Sequence, residues 1–194
     1  MSEEGEDTSG VPSGPADYAR ACVESCVLGR PLPRPAAHPF FTRHAACFVS
    51  LKNRGELRGC IGTLEPAEAD LGAEIARNAR SAAFHDPRFH RVRADELPAL
   101  TCSVDVLSPS APCAQAGLDP AVYGVIVLAG FRRGVLLPDL QGVDTVEHQV
   151  DIALQKAGIG PGEAFSVERF TVTRYKEGEP PRDDEVDGQP ARST

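Results

Sequence analysis

The run Leu57-Arg58-Gly59-Cys60-Ile61-Gly62 constrains this chain more than any other, because it sets a strand and a candidate site at once. Just upstream, Ala45, Cys47, Val49 and Leu51 fall at every second position, the period of a half-buried strand. Asn53-Arg54-Gly55-Glu56 between the two runs carries the residues of a tight turn. Together they predict an antiparallel hairpin. On plain alternation Leu57 and Ile61 point toward a core, and Arg58 and Cys60 point away from it. Gly59 and Gly62 leave the backbone open to close approach by a ligand or another chain. A thiol beside a guanidinium ionises more readily than a free one, which makes Cys60 with Arg58 a candidate reactive pair.

The rest of the chain supplies helices and further strands. Residues 16–28 carry Tyr18, Cys22, Val23, Cys26 and Val27 at helical spacing, and Gly29 with Pro31 stops them. Residues 30–40 hold four prolines and read as an extended connector. Pro66 is suited to the first turn of a helix running to about Ala83, with Leu71, Ile75, Ala79 and Ala82 as its buried stripe. Strand readings follow at Leu97–Leu107, Gly124–Ala129 and Gly134–Leu137. Asp144-Thr145-Val146-Glu147 has the form of a helix cap, and Gly158 of a helix stop. Phe165–Tyr175 reads as one strand whose alternation changes phase, as a bulge would make it. This order predicts an α+β fold, a mixed or antiparallel sheet covered by helices on one side.

Charge separates the ends from the body. Of 28 acids and 20 bases, residues 1–15 hold four acids and no base, and residues 177–194 hold six acids and two arginines. The intervening 18 acids and 18 bases balance, so the formal charge of -8 belongs to the ends. The expected organisation is a disordered acidic tail at 1–15, a single domain at 16–176, and a second disordered acidic tail at 177–194. A neutral body gives no reason to expect nucleic acid as a partner. No run approaches the roughly 20 apolar residues of a membrane span, and no basic segment followed by an apolar stretch marks a secretory signal. A cytoplasmic location with free thiols is the expectation for the six cysteines.

Chemistry is legible in only a few places. A Cys–His pair at Cys60 requires an imidazole within hydrogen-bond reach, and His85, His90 and His44 are candidates. Arg77, Arg80, Arg88, Arg91 and Arg93 surround Asp86, a pattern that suits either a solvated surface or a pocket for a carboxylate or phosphate, with Asp86 orienting a guanidinium. No paired cysteine–histidine spacing marks a metal site, and no glycine-rich phosphate loop follows a strand, so neither metal nor cofactor is expected.

The hexapeptide, followed by Asp86-Pro87-Arg88-Phe89, Gly124-Val125-Ile126-Val127, Gly134-Val135-Leu136-Leu137-Pro138 and Lys156-Ala157-Gly158, resembles the AMMECR domain family. Within it, the chain is similar over roughly residues 17–175 to the A component of bacterial AmmeMemoRadiSam systems. The resemblance implies an α+β domain with a larger and a smaller lobe and a cleft lined in part by Leu57–Gly62. It also implies association with a Memo-like protein and a radical S-adenosylmethionine protein, to which any iron site belongs. It implies no particular reaction. Two functions stand side by side. In one, an enzyme uses Cys60 and Arg58 as catalytic residues on a small anionic substrate bound by Gly59, Gly62, Asp86 and Arg88. In the other, a non-catalytic accessory protein uses the same cleft to bind a small anionic ligand or a system partner. The chain departs from relatives at Asp139-Leu140-Gln141-Gly142-Val143-Asp144, where others carry a more hydrophobic stretch.

Overall fold

The computed structural model describes residues 12–182. It divides into two compact units, one built from residues up to Val106 together with those from Arg174 onward, the other from Leu107–Thr173. Most of both expected tails lies outside the described residues. Within the described part, Pro15 already opens a helix, and Glu177 accepts the Cys102 N–H at 2.6 Å.

In the first unit α1 (Pro15–Val27) buries Tyr18, Ala19, Cys22 and Val23 along one face, and Gly29 at φ +65° ends it. A short turn of helix, α2 (Pro39–Thr42), is capped by His38, whose Nδ1 accepts the Phe40 N–H at 3.2 Å. It presents Phe40 to Tyr175, ring edge to ring face at 5.2 Å, and both side chains are fully buried. The hairpin follows as expected: β1 (Cys47–Asn53) and β2 (Glu56–Gly62) are antiparallel. Their two-residue turn, Arg54-Gly55, has both φ angles positive at 51° and 88°, the conformation that matches strand twist in a tight hairpin.

Helix α3 (Leu71–Phe84) starts later than Pro66. Asp70 caps it, accepting the Ala73 N–H at 2.8 Å. Glu74, fully buried, accepts the N–H groups of Ala67 and Glu68 at 2.8 Å each, as well as the Thr63 hydroxyl. The residues ahead of Asp70 thus wrap a carboxylate rather than continuing the helix. Residues Ala94–Ala99 form a 3-10 turn containing Pro98, so β3 (Leu100–Leu107) begins after it and not at Leu97.

The second unit holds β4 (Ala111–Pro112), β5 (Gly124–Ala129), β6 (Arg132–Leu136), α4 (Val146–Ala157) and β7 (Ser166–Phe170) in a sheet of order β4-β7-β5-β6. Thr145, one residue past the expected cap, takes the His148 N–H, and Gly158 stops α4 at φ +66°. Several sequence motifs meet where α4 crosses β6. A Cβ on Gly134 would lie 1.9 Å from the Ala153 carbonyl oxygen, Lys156 Nζ donates to the Val135 carbonyl at 2.9 Å, and Arg132 donates to the Gly158 carbonyl at 2.7 Å. These motifs lock a helix to an edge strand.

The strand read at Phe165–Tyr175 is two strands. After β7, β8 (Val172–Lys176) joins the other sheet, whose order is β2-β1-β3-β8. The change of phase marks a chain that leaves one sheet at Thr171 and enters another, not a bulge within one. In the first sheet Val49, Leu51 and Val104 pack with Leu71, Ile75 and Ala79 of α3 in one buried cluster. Each of the fully buried valine, leucine and isoleucine side chains among them contributes about 1.5–3 kcal/mol.

Candidate functional site

The register of the hairpin decides what the hexapeptide presents. Asn53 pairs with Glu56 and Lys52 with Leu57, but Leu51 pairs with Gly59, so Arg58 is the extra residue of a bulge. Without it, Cys60 would face Val49 and the core. With it, Cys60 pairs with Ser50 on the face away from α3, while Gly59 and Ile61 turn inward opposite Leu51 and Val49. Leu57 does not point to the core; it lies on the Lys52 side and is 45% exposed.

The two glycines are filled by protein. A Cβ on Gly59 would lie 2.3 Å from the Ala82 carbonyl oxygen, where α3 crosses β2. One on Gly62 would lie 2.3 Å from the Phe48 ring. Both permit close packing, and neither opens its Cβ direction to a ligand.

The segment Asp86–Glu96 lies along β2, the edge strand of its sheet. Asp86 is buried and accepts the Cys60 N–H at 2.8 Å, the Arg88 N–H at 3.1 Å, and two guanidinium bonds from Arg88 at 2.9 and 2.7 Å. Arg88 donates in turn to the Cys60 carbonyl at 3.3 Å. One Asp–Arg pair therefore satisfies both outward main-chain groups of Cys60, as a neighbouring strand would. The guanidinium bonds, offset in part by burial, hold the Asp86 carboxyl far below the usual carboxylate range. The same bonds raise Arg88.

Arg58 is engaged further along the segment. Its Nε donates to Glu96 Oε2 at 2.6 Å and its Nη2 to Glu96 Oε1 at 3.0 Å, with a longer bond to the Arg91 carbonyl. Hydrogen bonding to Arg58 holds the Glu96 carboxyl below its ordinary range. Phe89 lies under both guanidiniums, 5.9 Å from Arg58 and 5.4 Å from Arg88. Glu96 also accepts the Arg93 N–H at 2.9 Å, so one carboxylate closes the 3-10 turn and fixes Arg58.

The structure thus brings Cys60, Asp86 and Arg88 together and places Arg58 beside them, committed to Glu96. Cys60 is partly exposed, and its thiol accepts the Ser50 hydroxyl at 3.2 Å. Among the described residues His44, His85, His90 and His148 are all exposed and none of these four hydrogen-bonds it. The arginine cluster does not converge: Arg77 pairs with Glu68 at 3.3 Å, and Arg93 with Asp95 at 3.4 Å. Ser50 and Glu96 are the residues that sequence reading missed. Ser50 is concealed by the bulge, which shifts its pairing by one. Glu96 lies 38 residues from Arg58, and only its spacing after Arg93 hints at a cap.

The other cysteines have different surroundings. All six are free. Burial pushes the thiols of Cys22 and Cys47 up to about 12 and that of Cys102 beyond them. No cluster of three or more potential ligands for a metal occurs among the described residues, and none of their helices is long and apolar enough to cross a membrane.

Comparison with known proteins agrees with this architecture. The AMMECR1 family model matches residues 16–179. The chain belongs to the AMMECR1 family. A Thermotoga maritima protein is 52% identical over 139 residues, covering 70% of this chain and 80% of its own length. A Clostridium acetobutylicum protein is 52% identical over 130 residues, covering 67% of this chain, but the match spans only 28% of that longer protein. The crystal structure of the uncharacterized protein PH0010 from Pyrococcus horikoshii superposes with a TM-score of 0.73 at 27% identity, covering 87% of this chain and 92% of that one.

Proposed function

We propose that the edge of β2 at Cys60 is a binding site for a small anionic ligand, with Arg88 as its cation and the Cys60 thiol facing the bound group. The observation that carries this reading is the state of Arg88. Its guanidinium is held over Asp86 and the Cys60 carbonyl, yet its side chain remains 54% exposed beside the partly exposed Cys60. A guanidinium fixed on one edge can still offer its remaining N–H groups to a carboxylate or phosphate. Arg58 and Glu96 act as positioning residues, keeping the Asp86–Glu96 segment on the strand.

The experiment is protection of Cys60 in the full chain from iodoacetamide, followed by peptide mass spectrometry. Inorganic phosphate or malonate slows its labelling while choline chloride at equal ionic strength does not. Equal rates with all three additives sink the reading.

The Ser50 hydroxyl on the Cys60 sulfur favours a second reading, in which the thiol is a nucleophile in an enzyme acting on that anion. A Cys60-linked acetyl adduct from p-nitrophenyl acetate, absent in Cys60→Ser, supports it; no adduct removes it. The Memo-like and radical S-adenosylmethionine partners implied by the resemblance belong to the same proposal. Co-purification of either, weakened by Phe89→Ala in a folded protein, assigns them to this edge, and unchanged recovery removes that assignment.

A further inference from the structure

A concavity in the first unit, lined by α1, α3 and the proline-rich connector, has a volume of about 660 Å³. That lies within the roughly 300–1,000 Å³ typical of small-molecule sites. Its depth comes from small residues. Gly72, Ala73 and Ala76 line it from α3, and a Cβ on Gly72 would already touch Pro35 at 3.3 Å. Leu32, half exposed, and the buried Tyr18 supply the remaining apolar wall.

Its lining is formally neutral, Glu68 and Asp70 against Arg77 and Arg80, but the charges are unevenly placed, because Asp70 caps the start of α3 and Arg80 lies ten residues further along it, about 15 Å away. Arg77 is paired with Glu68 and lies near Glu74, at 3.3 and 3.9 Å, and Asp70 is occupied in capping α3. Arg80, one turn beyond Arg77, is exposed and, among the described residues, is engaged by no carboxylate. The groove therefore combines an apolar floor with one arginine at its rim that makes no ion pair among the described residues. Arg77 has two carboxylates beside it, Glu68 and Glu74, and they disfavour a dianion or an acidic peptide at that end.

We propose that this groove binds a small amphipathic monoanion, its apolar body against Leu32, Pro35, Ala73 and Ala76 and its charged group on Arg80. The site is separate from Cys60 and uses none of its residues.

The test is fluorescence titration of the full chain with 1-anilinonaphthalene-8-sulfonate, an amphipathic monoanion, and displacement by octanoate. Saturable one-site binding is expected, displaced by octanoate and not by octylamine. Ala73→Leu, at an exposed position with good helix propensity, fills the groove and abolishes the signal. Arg80→Gln weakens binding by up to about fivefold, the scale of an exposed charge contact. Arg88→Gln leaves it unchanged, which separates this site from the one at Cys60. Equal signals from the native chain, Ala73→Leu and Arg80→Gln overturn the proposal, as does a titration that never saturates. Circular dichroism on each variant confirms that the fold is retained.

Discussion

Replacing Gly59 with alanine separates packing from propensity, because the two act in opposite directions. The φ of Gly59 is not positive, so alanine is allowed there, and on chain entropy alone the change stabilises by about 0.4–1 kcal/mol. The structure says otherwise. The new methyl would sit 2.3 Å from the Ala82 carbonyl oxygen and 3.2 Å from its carbon. Both are main-chain atoms of α3, so no side-chain rotation relieves the contact, and strand and helix must part by about 1 Å. Overpacking of this kind costs about 1–3 kcal/mol, and a backbone obstacle puts it at the upper end. The net loss is about 2 kcal/mol, which for a domain of this size lowers Tm by about 4–8 °C. Thermal and urea unfolding followed by circular dichroism measure it. A variant as stable as the native chain, or more so, refutes the claim that Gly59 exists for the approach of α3. Unchanged stability with lost anion protection at Cys60 would instead return Gly59 to a ligand-binding role.

Other expectations follow from the same contacts. Asp86→Asn keeps the shape but removes the charge that Arg88 and the Cys60 N–H bind, and a loss of about 1–3 kcal/mol at pH 7 is expected. Because the Asp86 carboxyl is depressed in the folded state, its contribution is complete above the unfolded value near 3.9 and fades as pH falls below it. The gap between native and variant Tm should therefore narrow from pH 7 toward pH 2.5, and a constant gap contradicts the assignment. Iodoacetamide at pH 7.5 should label Cys60 well before Cys22, Cys47 and Cys102, whose thiols are buried and raised; labelling of Cys47 first would show that the hairpin is misplaced. Gly134→Ala should destabilise the second unit, since its methyl meets the Ala153 carbonyl; urea unfolding with an unchanged midpoint would deny that contact.

Much of the fold was legible because single elements announce themselves. The period-two run in β1, the Arg54-Gly55 turn and the Gly158 stop are local signals, and the structure keeps each of them. What escaped depends on partners distant in sequence. The start of α3 is set by Glu74 binding the loop before it, and Pro66 gave no sign of this. The phase change near Phe170 was visible, but a bulge and a change of sheet look the same without the neighbouring strands. The site shows the same division. Leu57–Gly62 and Asp86–Phe89 both stood out by composition, yet the bulge at Arg58, which puts Cys60 on the same outward face as Leu57, is a property of pairing. Sequence proximity makes Arg58 a partner for the thiol. Its geometry with Glu96 arises only when Asp86–Glu96 folds back along β2.

The central claim is that Arg88 makes the Cys60 edge an anion site, and the charge preference of Cys60 alkylation tests it most directly. Iodoacetate and iodoacetamide differ by a carboxylate, and their rates at Cys60 are compared in the native chain and in Arg88→Gln. A guanidinium a few ångströms from the incoming carboxylate is worth about 1 kcal/mol in a solvent-like dielectric. The native iodoacetate-to-iodoacetamide ratio should therefore exceed that of Arg88→Gln by about fivefold. An equal ratio in the two proteins, with Cys60 labelled in both, would contradict the account.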